Sequence, residues 1–170
     1  MPAEKPEFEA LYRALLRRVY AYVRSQVASA ADAEDVTSQV FINAYKAYPR
    51  YEPRRASPDS WLFQIARHAI ADHHRGRQRR DRLAALLAND DPVERDPAEL
   101  AEEAIVSGQL WEAVMKLNER QRQALALRHL GLSFAEVAEV LGCSEDAAKM
   151  LSHRAVAALR RSLKDGAADA

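Results

Sequence analysis

Two clusters of residues are equipped for chemistry, and in both it is the chemistry of contact rather than of bond making. In YPRYEPRRASPDSW (48–61) the aromatic residues Tyr48, Tyr51 and Trp61 are interleaved with Arg50, Arg54 and Arg55. Guanidinium groups track phosphates, and aromatic faces stack on unpaired bases at about 1–3 kcal/mol per base. Arg67, Arg75, Arg77, Arg79 and Arg80 extend the positive surface downstream. The plainer alternative is a core Trp61 with arginines that only solubilise. So many clustered arginines favour an electrostatic footprint for a polyanion, and Trp61 is expected to be at least partly buried. In the second cluster Lys149, His153 and Arg154 fall at i, i+4 and i+5, with Met150 and Ser152 between them. That is an outward row able to reach bases or phosphates in a major groove, or else an ordinary solvated helix face.

Catalytic chemistry finds no comparable footing. His68, His73 and His74 sit at i, i+5 and i+6, which does not put three ligands on one helix face, and no cysteine lies near them. No metal site is expected. The sequence has no Gly-rich phosphate loop, no nucleophile signature and no convincing carboxylate pair, so neither a cofactor nor an enzymatic activity is expected. Cys143, the only cysteine, excludes an internal disulfide and fits a reducing compartment. No apolar run approaches the roughly 20 residues of a membrane helix, and MPAEKPEFEA lacks the apolar stretch of a signal peptide. A soluble cytoplasmic protein without membrane insertion is expected.

The elements that must position these clusters are helices. Few glycines and many Ala, Leu, Arg and Glu favour an all-α chain. FEALYRALLRRVYAYVRSQV (8–27) repeats Phe8, Leu11, Leu15, Val19, Tyr22 and Val23 at helical spacing. A second helix is expected over 33–48 and is ended by Pro49. Ser57, Pro58 and Asp59 offer start signals for a third, SWLFQIARHAIADHHRGRQRR. Periodicity returns over 105–117, 119–130 and 134–142, and a last helix is expected from about Ser144 to Ser162. Ser133 with Glu136 makes a capping box, Gly142 suits a left-handed helix end, and Ala138 and Ala148 are small where two helices must cross. This is the layout of a helix-turn-helix, with a ligand-free helical hairpin as the alternative. Glu145 and Asp146 need no DNA contact, because acidic residues complement a helix start.

The formal net charge of zero over 170 residues conceals a pattern. Residues 1–80 hold 14 Lys/Arg against 9 Asp/Glu, residues 81–104 hold 2 against 8, and residues 105–170 hold 9 against 8. The expected organisation is therefore a domain over 1–80, an acidic flexible linker over 81–104, a helix-turn-helix domain over 105–165 and a tail over 166–170.

Taken together, DAEDVTSQVFINAYKAYPRY (32–51), SWLFQIARHAIADHHRGRQRR (60–80) and LNERQRQALALRHLGLSFAEVAEVLGCSEDAAKMLSHRA (117–155) resemble the bacterial sigma-70 family, in its small extracytoplasmic-function (ECF) group. The resemblance covers nearly the whole chain apart from the acidic linker and the tails. It implies an all-α protein with a region 2 helical bundle and a region 4 helix-turn-helix. It also implies a transcription initiation subunit that binds core RNA polymerase, recognises −10 and −35 promoter elements and helps to open the DNA. The implied polymerase contacts, on the clamp helices of the largest subunit, are Asp35, Gln39, Phe41 and Asn43; region 4 would meet the flap of the second-largest. The implied −10 contacts are Tyr51, Arg54, Arg55, Trp61, His68, Asp72, Arg75, Arg77, Arg79 and Arg80. The implied −35 contacts are Lys149, Met150, His153 and Arg154. An anti-sigma factor is an implied partner, and the acidic linker would mimic RNA in the polymerase channels. This chain has Ser38-Gln39 where the family usually has Gln-Glu, His68 where Asn is common, and Leu151 near a frequent Arg. Two rivals are an adaptor that binds polymerase without reading DNA and a repressor that acts without polymerase.

Overall fold

The structure, a computed structural model, describes residues 4–87 and 106–169. Seven α-helices and no strand occur among the described residues: α1 (Phe8–Arg24), α2 (Ala30–Ala47), α3 (Pro58–Leu86), α4 (Val106–Lys116), α5 (Glu119–His129), α6 (Phe134–Leu141) and α7 (Glu145–Ala168). A 3-10 turn, Tyr48–Arg50, follows α2. Side-chain caps set most of the starts. Ser29, Ser57, Asn118, Ser133 and Ser144 each accept a hydrogen bond from a free N–H of the first turn, satisfying a donor that the helix itself cannot. The capping box of Ser133 and Glu136 is formed in full.

The α6–α7 turn follows from one backbone conformation. Gly142 sits at φ +63° and ψ +44°, a left-handed geometry that costs a side-chain-bearing residue roughly 1–2 kcal/mol. Its N–H and that of Cys143 both return to the Ala138 carbonyl, closing the helix end as a glycine cap does. Ala138 and Ala148 are both buried, so the two helices cross closely.

The first domain packs α1, α2 and α3 around Leu15, Val19, Tyr22, Val40, Phe63 and Ile70; the second packs α4–α7 around Leu127, Leu132, Val137, Leu141 and Ala155. The two domains also pack on each other. α6 lies against α3 and α5 touches α1, so that both sets of buried residues, Ala155 excepted, join one apolar cluster. Polar bonds secure this contact. Arg18 donates to the Leu130 carbonyl at 2.8 Å, and Arg67 donates to the Val140 carbonyl at 3.2 Å. Both cations therefore sit on the C-terminal ends of α5 and α6, where carbonyls are unpaired and the helix dipole is negative. Arg122 reaches Gln26 Oε1 at 3.3 Å, and Ser57 Oγ donates to Glu136 Oε1 at 2.9 Å.

One boundary differs from expectation. The linker was to begin at Asp81, yet α3 continues to Leu86, because Arg82, Leu83, Ala84, Ala85 and Leu86 are all good helix formers. The rest of the expected linker, 88–104, lies outside the described residues. At the other end α7 runs through Ala168 and takes in most of the expected tail.

Candidate nucleic-acid and polymerase interface

The α2 surface comes first in the chain. Asp35 and Gln39 are exposed one turn apart, and Gln39 donates to Asn43 Oδ1 at 2.8 Å. Phe41 is only 7% exposed and meets Tyr12 edge-on at 4.8 Å, so it supports this face more than it presents it. The apolar side chains open to solvent beside it are Tyr12, Ile42 at 48% and Tyr45 at 67%. With Phe8, Ser38, Phe41 and Lys46 they line a shallow groove. Sequence reasoning passed over Tyr12, Ile42 and Tyr45. Their signal was apolar residues falling on an otherwise polar helix face, where burial cannot explain them.

The aromatic loop is built on contacts to the amino terminus. Lys5 Nζ donates to the Tyr48 carbonyl at 2.6 Å and lies 4.2 Å from the centre of the Tyr48 ring. The Tyr48 hydroxyl donates to the Pro6 carbonyl. Tyr51, expected as a DNA contact, is 4% exposed; it stacks on half-buried Trp61 at 4.4 Å and donates to the Ala56 carbonyl at 3.1 Å. Burial raises its hydroxyl pKa above the ordinary 10.0, so it is a neutral donor. Trp61 keeps one side open to a cleft of about 360 Å³ shared with Asn43, Lys46, Ala47 and Arg50. Asn43 thus stands with the aromatic loop as well as with the α2 face. Lys46 joins the candidate set, and Arg50, already interleaved with the tyrosines in the sequence, opens on the same cleft.

Along α3, His68, Asp72, Arg75 and Arg79 are exposed at i, i+4, i+7 and i+11, one continuous stripe, with Arg80 exposed alongside. Arg75 is held by Asp72. Arg54 and Arg55 are exposed on the loop, the latter paired with Glu52 at 2.7 Å. Arg77 departs from the stripe. It turns back to Asp32 on α2 at 3.3 Å, because its helical position points into the bundle edge where His73 also approaches Asp32 at 3.8 Å. His74 lies in a polar cleft between the domains with Arg77, Gln78, Asp81, Glu119 and Arg122. Among the described residues no three His, Cys, Asp or Glu side chains are grouped as a metal site.

On α7, Met150, His153 and Arg154 are exposed and Lys149 is half-buried, paired with Glu145 at 3.2 Å. Leu151 packs inward against the core, and Ser152 is buried, so the outward row is 149, 150, 153 and 154 as the spacing predicts. The residue missed here is Phe134. Arg128 stacks over its ring at 4.3 Å, Lys149 lies 6.0 Å from its centre, and His153 meets its edge at 6.4 Å. An aromatic at the first helical position after Ser133 was the available clue. Its ring gathers three nitrogen side chains beside the start of α6.

Two family models match this chain: Sigma-70 region 2 over residues 11–80 and Sigma-70 region 4 over residues 107–159. The ECF RNA polymerase sigma factor BldN of Streptomyces coelicolor is 36% identical over 166 residues, covering 96% of this chain and 63% of BldN. The chain therefore spans less than two thirds of that relative's length. The ECF RNA polymerase sigma factor SigC of Mycobacterium tuberculosis is 33% identical over 136 residues, 79% of this chain and 71% of SigC. Among solved structures, the sigma factor RpoE of Bartonella quintana, in complex with the anti-sigma factor NepR, is similar in fold. Its TM-score is 0.75 at 23% identity, over 92% of this chain and 96% of RpoE.

Proposed function

Because the chain belongs to the ECF group of the sigma-70 family, we propose that it is a dissociable initiation subunit that reads promoter DNA with two separate surfaces. The observation that carries this reading is the pairing of two exposed contact faces in one chain. One is the open side of Trp61 with Arg50 and Lys46; the other is the outward row of α7, exposed or half-exposed among the described residues.

In the first face the aromatic side accepts an unstacked base of the −10 element while Arg50, Arg54 and Arg55 hold adjacent phosphates. His68, Asp72, Arg75, Arg79 and Arg80 continue that track along α3. In the second, Lys149, Met150, His153 and Arg154 enter a −35 major groove from the helix start. Asp35 and Gln39, with the open apolar groove of Tyr12, Ile42 and Tyr45, meet the clamp helices of core polymerase. Region 4 would engage the flap of the second-largest subunit. An anti-sigma factor, as in the RpoE–NepR complex, is a further partner of this reading, and the cytoplasm is its compartment.

Reading both elements requires the packed domains to part. A compact chain of this length has a radius of gyration of about 15 Å, whereas element centres about 25 base pairs apart lie about 85 Å apart on B-DNA. Run-off transcription with core polymerase and a promoter library tests the proposal. Initiation at −35/−10 promoters that depends on this protein is expected. Polymerase binding without initiation would favour an adaptor, and tight operator binding without polymerase would favour a repressor.

A further inference from the structure

Ser57 stands on the boundary between the two domains. Its Oγ caps α3, accepting from the Ser60 N–H at 3.1 Å, and donates across the domain boundary to Glu136 Oε1 at 2.9 Å. Glu136 is committed on its own side: its other oxygen accepts the Ser133 N–H at 2.8 Å as half of the α6 capping box. One hydroxyl therefore joins the start of the α3 helix to the start of the first helix of the helix-turn-helix. The segment around it reads Arg54-Arg55-Ala56-Ser57-Pro58. Both arginines are exposed on a turn, and Ser57 itself is half-buried. Two cations three and two residues before a serine, on irregular backbone, present what an acidic substrate groove can grip.

We propose that Ser57 is a phosphorylation site whose modification releases the second domain from the first. The modifying enzyme is a serine kinase with an acidic groove, and the co-substrate is ATP. The γ-phosphoryl group passes to Ser57 Oγ as the P–O bond to the β-phosphate breaks, leaving ADP. The hydroxyl proton is lost to the kinase's base and then to solvent. The product has no proton to give Glu136 and sets about −2 charge against that carboxylate, an arrangement that opens contacts by repulsion and desolvation. The same phosphate suits the start of α3, where N–H groups and the dipole favour an anion, so the first domain keeps its helix. Arg18, the cation whose charge acts on the Glu136 carboxylate, has its guanidinium already held by Asp59 at 2.5 Å and by the Leu130 carbonyl at 2.8 Å. A kinase that reaches Ser57 while the domains are apart leaves a product whose closing is disfavoured.

The test uses the full chain with phosphoserine installed at position 57 during synthesis. Fluorescence transfer is read between labels at the exposed positions of Ala31→Cys and Ala157→Cys, in a Cys143→Ala background. Phosphoserine should shift the closed-to-open ratio by at least about tenfold, since a charged hydrogen bond is lost and like charges replace it. Glu136→Gln should remove most of that shift, and Ser57→Ala should open the chain far less than the phosphate does. In parallel, a basophilic serine kinase with radiolabelled ATP should label the wild-type chain. Labelling should vanish in Ser57→Ala and fall in Arg54→Ala, Arg55→Ala. Unchanged transfer with phosphoserine in place, equal opening in the Glu136→Gln background, or label spread over other serines would each overturn the proposal.

Discussion

The rings of Tyr51 and Trp61 stack at 4.4 Å, tilted by 29°, and this pair anchors the basic loop to the start of α3. Tyr51 is the buried partner and Trp61 the half-buried one, so only the far side of the indole is open to a ligand. Trp61→Ala should cost about 2–3 kcal/mol of stability, below the usual range for a fully buried tryptophan. Trp61→Phe should retain most of the stability while weakening capture of a single-stranded −10 oligonucleotide. Urea unfolding and fluorescence anisotropy separate the two effects.

The apolar side chains of the α2 face make the reverse prediction. Tyr45 and Ile42 are 67% and 48% exposed, so truncating them removes little internal packing. Tyr45→Ala and Ile42→Ala should leave the melting temperature within a degree or two. Each should weaken binding to core polymerase by about 1–2 kcal/mol, roughly 5- to 30-fold, as apolar interface anchors do. Wild-type affinity in both variants would remove this face from the polymerase contact.

The α7 row should respond as a DNA contact rather than as a structural element. The Lys149→Ala, Arg154→Ala double variant removes two cations from a half-exposed or exposed face. It should reduce −35-dependent transcription about 10- to 100-fold and flatten the salt dependence of DNA binding, with stability little changed. Normal −35 use in that variant would support an adaptor.

Gly142 should be sensitive for a purely conformational reason. Nothing crowds its missing Cβ, yet its φ is +63°. Gly142→Ala should therefore destabilise the second domain by about 1–2 kcal/mol through backbone strain alone, and Gly142→Asn by less. Thermal melts of the two variants measure the difference.

Acid should loosen the contact between the domains. Burial lowers the His74 pKa below its ordinary 6.5, and neighbouring His73 lowers it further, against the opposing pull of Glu119. The cleft around it also holds Arg77, Asp81 and Arg122. A depressed histidine pKa means that the packed state prefers the neutral ring. The associated stability is present above about pH 6.5 and is lost as pH falls from there through the lowered value. Interdomain fluorescence transfer should drop over that window, and His74→Gln should flatten the dependence. A titration identical in both proteins would exclude His74 as its source.

What the sequence determined by itself is local. Helix positions followed from i, i+3, i+4 apolar spacing, and the starts at Ser57, Ser133 and Ser144 from hydroxyls three residues ahead of the N–H they bond. The α6–α7 turn followed from a glycine that can take positive φ. All of these act within one or two helical turns, so their causes lie side by side in the chain. The same locality made the outward row of Lys149, Met150, His153 and Arg154 legible, and α3 overran its expected end only because helix formers continue past Asp81. The tertiary structure alone decided which surfaces meet. Arg18 finds the Leu130 carbonyl 112 residues away, Arg67 finds Val140 73 residues away, and Ser57 finds Glu136 79 residues away. Tyr51 and Phe41, both aromatic in contact-like surroundings, turned inward, while Leu151 settled into the core and Ile42 and Tyr45 stayed outside. Composition cannot separate these fates, because burial depends on what packs across from a side chain. That partner is chosen by the free energy of the whole assembly rather than by any neighbour in sequence.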